Sequence, residues 1–260
     1  MHMQPIITLQ SVYKSYGTKQ VLKGINLQIQ AGQVIGYIGP NGAGKSTTVK
    51  ILCGLIDDYE GTVEVGGINL KDDLLLVKRK IGYVPELAEL YDVLTPREFL
   101  TLMAELYEIP ADIATDRILK MLQALGLEAS IDQRMDTFSK GMKQKILIIS
   151  GILHNPDIII LDEPLSGLDA NSVLIIKDLI AKLASEGKTI FYCSHMMDVV
   201  EKVSDRIILI HQGTVIAEGT IQELQAQSGN INSLEKIFAQ LTSNDSMGHA
   251  ASDLIQAIQP

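Results

Sequence analysis

The chain has 260 residues, 46% of them hydrophobic, which excludes a disordered chain and leaves room for one large domain or two small ones. Its formal charge of −9 at pH 7 argues against a protein that coats nucleic acid, because binding to phosphates needs a clustered basic surface. We therefore expect no nucleic-acid partner.

The two cysteines and the apolar segments bear on the compartment. Cys53 and Cys193 are isolated and form no CxxC motif, which argues against a disulfide framework and favours a reducing cytoplasm. No apolar run approaches the roughly 18 residues of a membrane span, and the first ten residues lack the pattern of a signal peptide. We expect a soluble chain that, if it serves a membrane, acts from outside the bilayer.

The opening third of the sequence has strand-like patterns separated by turn signals. Residues 6–9 and 21–29 alternate in polarity or are rich in β-branched side chains, and residues 16–18 form a turn. The apolar run 34–38 ends at Gly39, and the segment after Lys45 is compatible with a helix. These patterns predict a strand, a glycine loop and a helix in that order.

From residue 95 onward the periodicity becomes helical. Apolar residues recur at helical spacing in two stretches: Phe99, Leu102, Met103 and Leu106, and then Ile118, Met121, Leu122 and Leu125. Thr95 and Pro96 form a typical helix start, and Pro110 separates the two helices. We interpret residues 87–140 as a helical insert carried by an α/β core.

Strands and helices alternate again beyond the insert. The pattern predicts a strand at 158–161, a helix at 171–185, a strand at 189–193 and a hairpin of 207–210 and 215–217 around Gly213. The apolar run 146–149 fits either a buried strand or a buried helix. The order predicts an α/β fold with one domain at 6–228 and a helical or flexible tail at 229–260, loosely attached from Ser243 onward.

Residues 39–47 read Gly-Pro-Asn-Gly-Ala-Gly-Lys-Ser-Thr and are the strongest motif; we name them the phosphate loop. Glycines let backbone N–H groups converge on phosphates, and the following helix presents the positive end of its dipole. Lys45 can reach the outer phosphates, and the Ser46 hydroxyl can hold Mg²⁺, which disfavours a chance glycine turn. The candidate nucleotide-binding residues are Gly39, Pro40, Asn41, Gly42, Ala43, Gly44, Lys45, Ser46 and Thr47.

Two adjacent carboxylates, Asp162 and Glu163, follow the apolar strand 158–161. They would lie at the carboxyl end of the strand, where α/β sheets bind nucleotides. We expect Asp162 to hold Mg²⁺ and Glu163 to act in catalysis by polarising the attacking water. Alone, such a pair could equally be a solvated acidic turn, but the phosphate loop in the same chain favours the catalytic interpretation.

Together these residues resemble the nucleotide-binding domain of ATP-binding cassette (ABC) transporters, over about residues 8–224. Residues 138–142 read Phe-Ser-Lys-Gly-Met and stand at the family's signature loop, and residues 165–169 read Leu-Ser-Gly-Leu-Asp and match its D-loop. His195 matches the family's switch histidine, and Tyr16 stands near its adenine-stacking aromatic. The resemblance implies a P-loop NTPase core with an antiparallel β subdomain and a helical subdomain.

The resemblance also implies an ATPase that binds ATP and Mg²⁺ and works as a dimer, with a homodimer expected. Each ATP lies between one phosphate loop and the partner's signature loop, so that Ser139 and Gly141 contact the γ-phosphate across the interface. His195 is expected to hold the γ-phosphate and the catalytic water, and Asp169 to link the two sites. The alternatives are a helix-capping or core role for His195 and a packing role for Tyr16.

Two positions depart from the family's pattern. Lys140 replaces the usual glycine of the signature loop and places a cation at a helix N-terminus, which the helix dipole disfavours. We hypothesise that Lys140 attracts the partner's ATP; the alternative is a side chain that faces solvent.

Glu86 replaces the family's usual glutamine. A carboxylate at this position can still ligate Mg²⁺. Because it also adds a negative charge near Glu163, the pKa of one of these two carboxyl groups should rise. Alternatively, Glu86 points away.

The function that follows is a peripheral ATPase subunit at the cytoplasmic face of the membrane, driving a separate permease. The signature loop resembles that of bacterial two-component exporters, which favours export. One alternative is a soluble member of the superfamily acting in DNA repair or on ribosomes, but the chain lacks a heptad array, zinc cysteines and a second cassette. Another is a kinase or GTPase, which would not account for the signature loop, D-loop and His195.

Overall fold

The computed structural model describes residues 4–87, 89–229 and 231–242, so the predicted tail from Ser243 lies outside the described residues. The strands are β1 (Ile7–Tyr16), β2 (Lys19–Ile29), β3 (Val34–Ile38), β4 (Glu60–Val65), β5 (Ile68–Asn69), β6 (Ile81–Val84), β7 (Ile158–Asp162), β8 (Thr189–Ser194), β9 (Arg206–His211) and β10 (Thr214–Gly219). The helices are α1 (Lys45–Leu52), α2 (Leu74–Lys80), α3 (Pro96–Leu106), α4 (Ala111–Ala124), α5 (Lys140–Ile152), α6 (Ala170–Ser185), α7 (Met197–Val203), α8 (Ile221–Gln227) and α9 (Leu234–Leu241).

The strands form two sheets, which confirms the predicted α/β fold with an antiparallel β subdomain. One sheet has the order β2-β1-β4-β5 and is antiparallel throughout. The other has the order β10-β9-β3-β8-β7-β6, and all its pairs are parallel except β10 with β9. Because β3, β8 and β7 are neighbours and parallel, the loops that follow them meet at one edge of the sheet.

The six-stranded sheet is buried on both faces. Ile158 and Ile160 of β7 pack in a core shared with the antiparallel sheet and α1, whereas Ile159 and Leu161 pack in a core shared with the helices. This split follows from the period of two along a strand, and the continuous apolar run 158–161 is what a strand covered on both faces requires. The packing holds the carboxyl end of β7, and thus Asp162, in a fixed place.

The helical segment lies between β6 and β7 in sequence. Thr95 caps α3, with Pro96 in the first turn and Glu98 completing a capping box, so the predicted helix start is confirmed. The apolar run 146–149, left open between strand and helix, belongs to α5 and is buried. Strands β4 and β5, helix α2 and strand β6 had no counterpart in the sequence analysis. The domain boundaries at 87–140 and 6–228 stay predictions.

The chain beyond β10 begins with two helices. Helix α9 packs on α7 and α8 and buries Leu234 and Ile237. Helix α7 directly follows His195 in sequence, so this part of the predicted tail rests on the core close to that residue. Among the helices of the described residues, none is long and apolar enough to cross a membrane.

Candidate active site

The phosphate loop connects the end of β3 to α1 and folds around its own lysine. Lys45 is 7% exposed, and its Nζ donates to the carbonyl oxygens of Gly39 at 2.7 Å and Pro40 at 3.3 Å. Gly42 and Gly44 have φ angles of +80° and +110°, a left-handed conformation that L side chains rarely adopt. The two glycines therefore allow the tight turn that brings the lysine over the loop.

Helix α1 begins at this loop with an arrangement suited to an anion. Its N-cap is Gly44, and within the described part of the chain no side chain caps its first amides. Its first turn contains no acidic residue. The free amides and the positive end of the helix dipole therefore favour a negatively charged group at this point.

A cavity of about 350 Å³ opens beside α1 and joins the phosphate loop to the carboxylates. Nine predicted site residues line it: Asn41, Gly42, Gly44, Lys45, Ser46, Thr47, Glu86, Asp162 and Glu163. Lys19 and Val21 of β2 also line the cavity and were missed by sequence reasoning. Glu86 therefore lies at the cavity, and its metal role stays a prediction.

Asp162 lies at the end of β7 and is 2% exposed. Burial raises its pKa, and the nearby charge of Glu86 raises it further, whereas hydrogen bonds with Cys193 and Ser46 lower it. The sequence predicted a raised pKa for Glu86 or Glu163, whereas the structure shows the effect of the Glu86 charge at Asp162. The Asp162 Oδ1 atom is buried and has no hydrogen-bond partner among the described residues.

Glu163 is held by the end of the neighbouring strand β8. Its Oε1 accepts hydrogen bonds from the backbone N of His195 at 2.8 Å and from His195 Nδ1 at 2.7 Å. Its Oε2 accepts from Ser194 Oγ at 2.8 Å. The φ angle of Glu163 is +49°, an uncommon conformation for a side chain of this kind. Three donors thus fix a carboxylate on a strained backbone.

His195 contacts this carboxylate directly, with 63% of its side chain exposed, so a core role is wrong. An ionised carboxylate only accepts hydrogen bonds, and the Nδ1 atom of His195 must therefore carry the proton. Ser194 had no role in the sequence analysis. The signal that points to it is its position at the carboxyl end of β8, next to β7 in the same parallel sheet.

Ser139, Gly141 and Asp169 lie outside the cavity of their own chain. Ser139 caps α5 by accepting from the backbone N of Met142 at 3.2 Å. Asp169 caps α6 by accepting from the N and Oγ of Ser172 at 2.9 and 2.6 Å, and these hydrogen bonds lower its pKa. Both caps were missed by sequence reasoning. A contact between these residues and a nucleotide would require a second copy of the chain.

Tyr16 and Lys140 also lie apart from the cavity. The Tyr16 ring is half-exposed, and Lys14 Nζ lies 4.6 Å from its centroid, so its stacking on adenine stays a prediction. Lys140 Nζ donates to Ser166 Oγ of its own chain at 2.8 Å. Lys140 is exposed, and the predicted attraction to the partner's ATP stays a prediction.

A sequence profile of the family described as ABC transporter matches residues 22–166, which is more than half of the chain. The chain belongs to the ABC transporter family. This ABC transporter subunit is 37% identical over 224 residues to the linearmycin resistance ATP-binding protein LnrL of Bacillus subtilis, covering 86% of the chain and 72% of LnrL.

Two solved structures are similar to this ABC subunit over most of its length. The ATP-binding subunit of an ABC transporter superposes with a TM-score of 0.86 at 31% identity, over 91% of this chain and 99% of that one. A dimeric ATP-binding cassette in a post-hydrolysis state, bound to ADP and phosphate, superposes with a TM-score of 0.77 at 30% identity, over 83% and 98%.

These likenesses decide between the functions considered from the sequence. The chain is an ATP-binding and ATP-hydrolysing subunit of an ABC transporter, and the DNA-repair, ribosomal, kinase and GTPase alternatives are set aside. ATP-binding subunits of this family dimerise and work with membrane permeases.

Proposed function

We propose that this ABC subunit drives export through a separate permease, from the cytoplasmic face of the membrane, as a homodimer. The observation that carries the mechanism is the single cavity in which Lys45 and Ser46 face Asp162 and Glu163. Export is favoured by the resemblance of the signature loop to that of two-component exporters and by the name of LnrL, a resistance protein.

The phosphate loop holds the triphosphate in this proposal. The backbone N–H groups from Gly42 to Thr47 donate to the phosphate oxygens, and Lys45 moves from its own loop carbonyls to the outer phosphates. The carbonyls of Gly39 and Pro40 are neutral acceptors, whereas a phosphate is charged, so the exchange is electrostatically favourable. Tyr16 stacks on the adenine.

Mg²⁺ fits the oxygen atoms at the cavity floor. No group of three or more His, Cys, Asp or Glu side chains converges within the described residues, so a cage made only of protein carboxylates is absent there. Mg²⁺ characteristically takes one or two carboxylates and completes its shell with phosphates and water. The Ser46 hydroxyl, the unpartnered Oδ1 of Asp162 and the Glu86 carboxylate supply such ligands. When bound, the ion neutralises charge on the phosphates.

Glu163 orients the attacking water and takes its proton. Oε1 already accepts two N–H groups from His195, whereas Oε2 accepts one hydroxyl, from Ser194, and retains a lone pair. The water oxygen bonds to the γ-phosphorus, its proton passes to Oε2, and the bond to the bridging oxygen breaks, releasing ADP and phosphate. Because the Nδ1 proton of His195 is used on Glu163, holding the γ-phosphate through Nε2 requires a second proton on the ring, since a phosphate oxygen only accepts hydrogen bonds.

The dimer completes each site. Ser139 and Gly141 of one chain contact the γ-phosphate held by the other, and Asp169 links the two sites. Ser139 is suited to this role because it is the N-cap residue of α5, and the helix dipole favours an anion at this end of the helix. ATP then closes the dimer, and hydrolysis opens it.

The catalytic role is tested with Glu163→Gln, which keeps the shape of the side chain and removes its basicity. We expect the turnover number to fall at least about 100-fold, because a general base contributes about 10²–10⁴-fold, while ATP binding persists. Glu186→Gln, at the exposed end of α6, is the matched control. Turnover at the wild-type rate in Glu163→Gln would contradict the assignment.

The partner is tested by purifying the tagged chain from detergent-solubilised membranes and identifying the bound proteins by mass spectrometry. The proposal predicts a chain with several membrane-spanning helices. Recovery of ribosomal proteins or DNA-repair proteins in its place would refute the proposed partner.

A further inference from the structure

Lys140 connects two loops that sequence analysis treated separately. It is the first residue of α5, in the signature loop, and its Nζ donates to Ser166 Oγ of the D-loop at 2.8 Å. Its aliphatic stem lies along the D-loop backbone: a Cβ built on Gly167 would be 3.0 Å from both Cγ and Cδ of Lys140. The lysine therefore lies against the D-loop at Ser166 and Gly167.

Close backbone packing supports the same contact. A Cβ built on Gly141 would lie 2.7 Å from the carbonyl oxygen of Gly167, so the first turn of α5 and the D-loop approach each other as closely as a glycine permits. Gln144, one turn further along α5, is fully buried and donates from Nε2 to the carbonyl oxygen of Pro164 at 3.3 Å. The D-loop thus lies against one face of α5.

Among these contacts, the one made by Lys140 is distinctive. Gly141 and Gln144 bring the backbones together but make no hydrogen bond with Ser166, a half-buried residue of the D-loop. A glycine at position 140 would have no side chain to bridge that gap. The bond to Ser166 also directs the ammonium group away from the amides at the start of α5, where the helix dipole opposes a cation.

We infer that Lys140 is a positioning residue that fixes the D-loop to the signature helix within one protomer. The inference rests on the proposed dimer, in which both loops face the partner chain. Fixing the D-loop before association lowers the ordering cost that dimerisation must offset. Lys140 therefore acts on the partner's nucleotide site through Ser166 and Gly167, by holding them in place.

The test compares Lys140→Met, Lys140→Arg, Ser166→Ala and the double variant Lys140→Met/Ser166→Ala. Lys120→Met is the matched control, because Lys120 is an exposed lysine of α4 whose Nζ pairs with Asp116. Amide hydrogen exchange of residues 165–169 is measured in the nucleotide-free monomer. The dimer dissociation constant with ATP and Mg²⁺ is measured by analytical ultracentrifugation in a Glu163→Gln background, alongside ATP affinity.

We expect Lys140→Met to speed exchange in residues 165–169 and to weaken the dimer, each about three- to tenfold, as the loss of one solvent-exposed hydrogen bond predicts. ATP affinity of the monomer stays unchanged. Ser166→Ala has the same effects, the double variant adds nothing further, and Lys140→Arg restores both values because it retains a donor. Lys120→Met changes neither.

Three results would overturn the inference: unchanged exchange in Lys140→Met, additive losses in the double variant, or failure of Lys140→Arg to restore the values. A Glu163→Gln protein that stays monomeric with saturating ATP would instead refute the proposed dimer. The exchange measurement on the monomer would still decide whether Lys140 fixes the D-loop, so the two failures are distinguishable.

Discussion

Replacing Ser194 with alanine tests how the catalytic carboxylate is held. Ser194 is 1% exposed, donates to Glu163 Oε2 at 2.8 Å and accepts from the backbone N of Met196 at 3.1 Å. Alanine removes the donor and leaves the backbone N–H of Met196 without this acceptor. A hydrogen bond to a charged group contributes about 1.5–3 kcal/mol, and we expect the free energy of unfolding to fall by about that amount.

The effect of Ser194→Ala on catalysis follows from the hydrogen bonds to Glu163 that the substitution leaves in place. The two N–H groups of His195 still hold Oε1, but Oε2, the atom proposed to take the proton, loses its only protein donor within the described residues. We expect the turnover number to fall about tenfold, equivalent to about 1.4 kcal/mol of barrier. The KM for ATP stays unchanged, because Ser194 does not line the cavity.

The assay is phosphate release over a range of ATP concentrations. Ser194→Thr retains the hydroxyl and should keep most of the activity, and Ser150→Ala, in buried α5, controls for the loss of a buried serine. If Ser194 acts through Glu163, adding Ser194→Ala to Glu163→Gln slows turnover no further. An equal, additive loss in that background would refute the reasoning.

Three further predictions follow. Glu86→Gln should raise the Mg²⁺ concentration for half-maximal turnover about fivefold, because one ligand charge is lost. The control Glu89→Gln should leave that concentration unchanged. Identical Mg²⁺ curves for wild type and Glu86→Gln would refute a metal role. Tyr16→Ala should raise the KM for ATP about tenfold with turnover unchanged, and an unchanged KM would refute stacking. His154→Phe keeps the stack on Tyr107 but loses a bond to a carbonyl oxygen, and should cost about 1 kcal/mol in urea unfolding at pH 8.

The effect of His154 should depend on pH. Burial lowers the pKa of His154, so the folded chain binds fewer protons there than the unfolded chain. Its contribution to stability is therefore present above the unfolded pKa of about 6.5 and is lost as pH falls below it. The difference between wild type and His154→Phe should shrink between pH 8 and pH 5, and a difference that grows on acidification would contradict this.

The parts of the site that are local in sequence could be predicted. The phosphate loop needs only a strand, a run of glycines and a helix in succession, and the structure has β3, the loop and α1 in that order. The start of α3 was predictable for the same reason, because Thr95, Pro96 and Glu98 form a capping box among near neighbours.

The contacts between distant segments could not be predicted. Glu163 contacts Ser194 and His195 because β7 and β8 pair in parallel and in a register that places Asp162 beside Cys193. A shift of one residue in this register would separate these side chains. The contact between Lys140 and Ser166 depends on how closely α5 approaches the D-loop, which is set by Gly141 and by packing that no local pattern records.

The most direct measurement is calorimetric titration of the purified chain with ATP and Mg²⁺, for wild type, Lys45→Ala and Lys50→Ala. Lys50 is an exposed lysine of the same helix and serves as the control. The account predicts that Lys45→Ala weakens ATP binding about 100-fold or more, with an unchanged circular dichroism spectrum, while Lys50→Ala binds as wild type does. Equal ATP affinity in wild type and Lys45→Ala would contradict it.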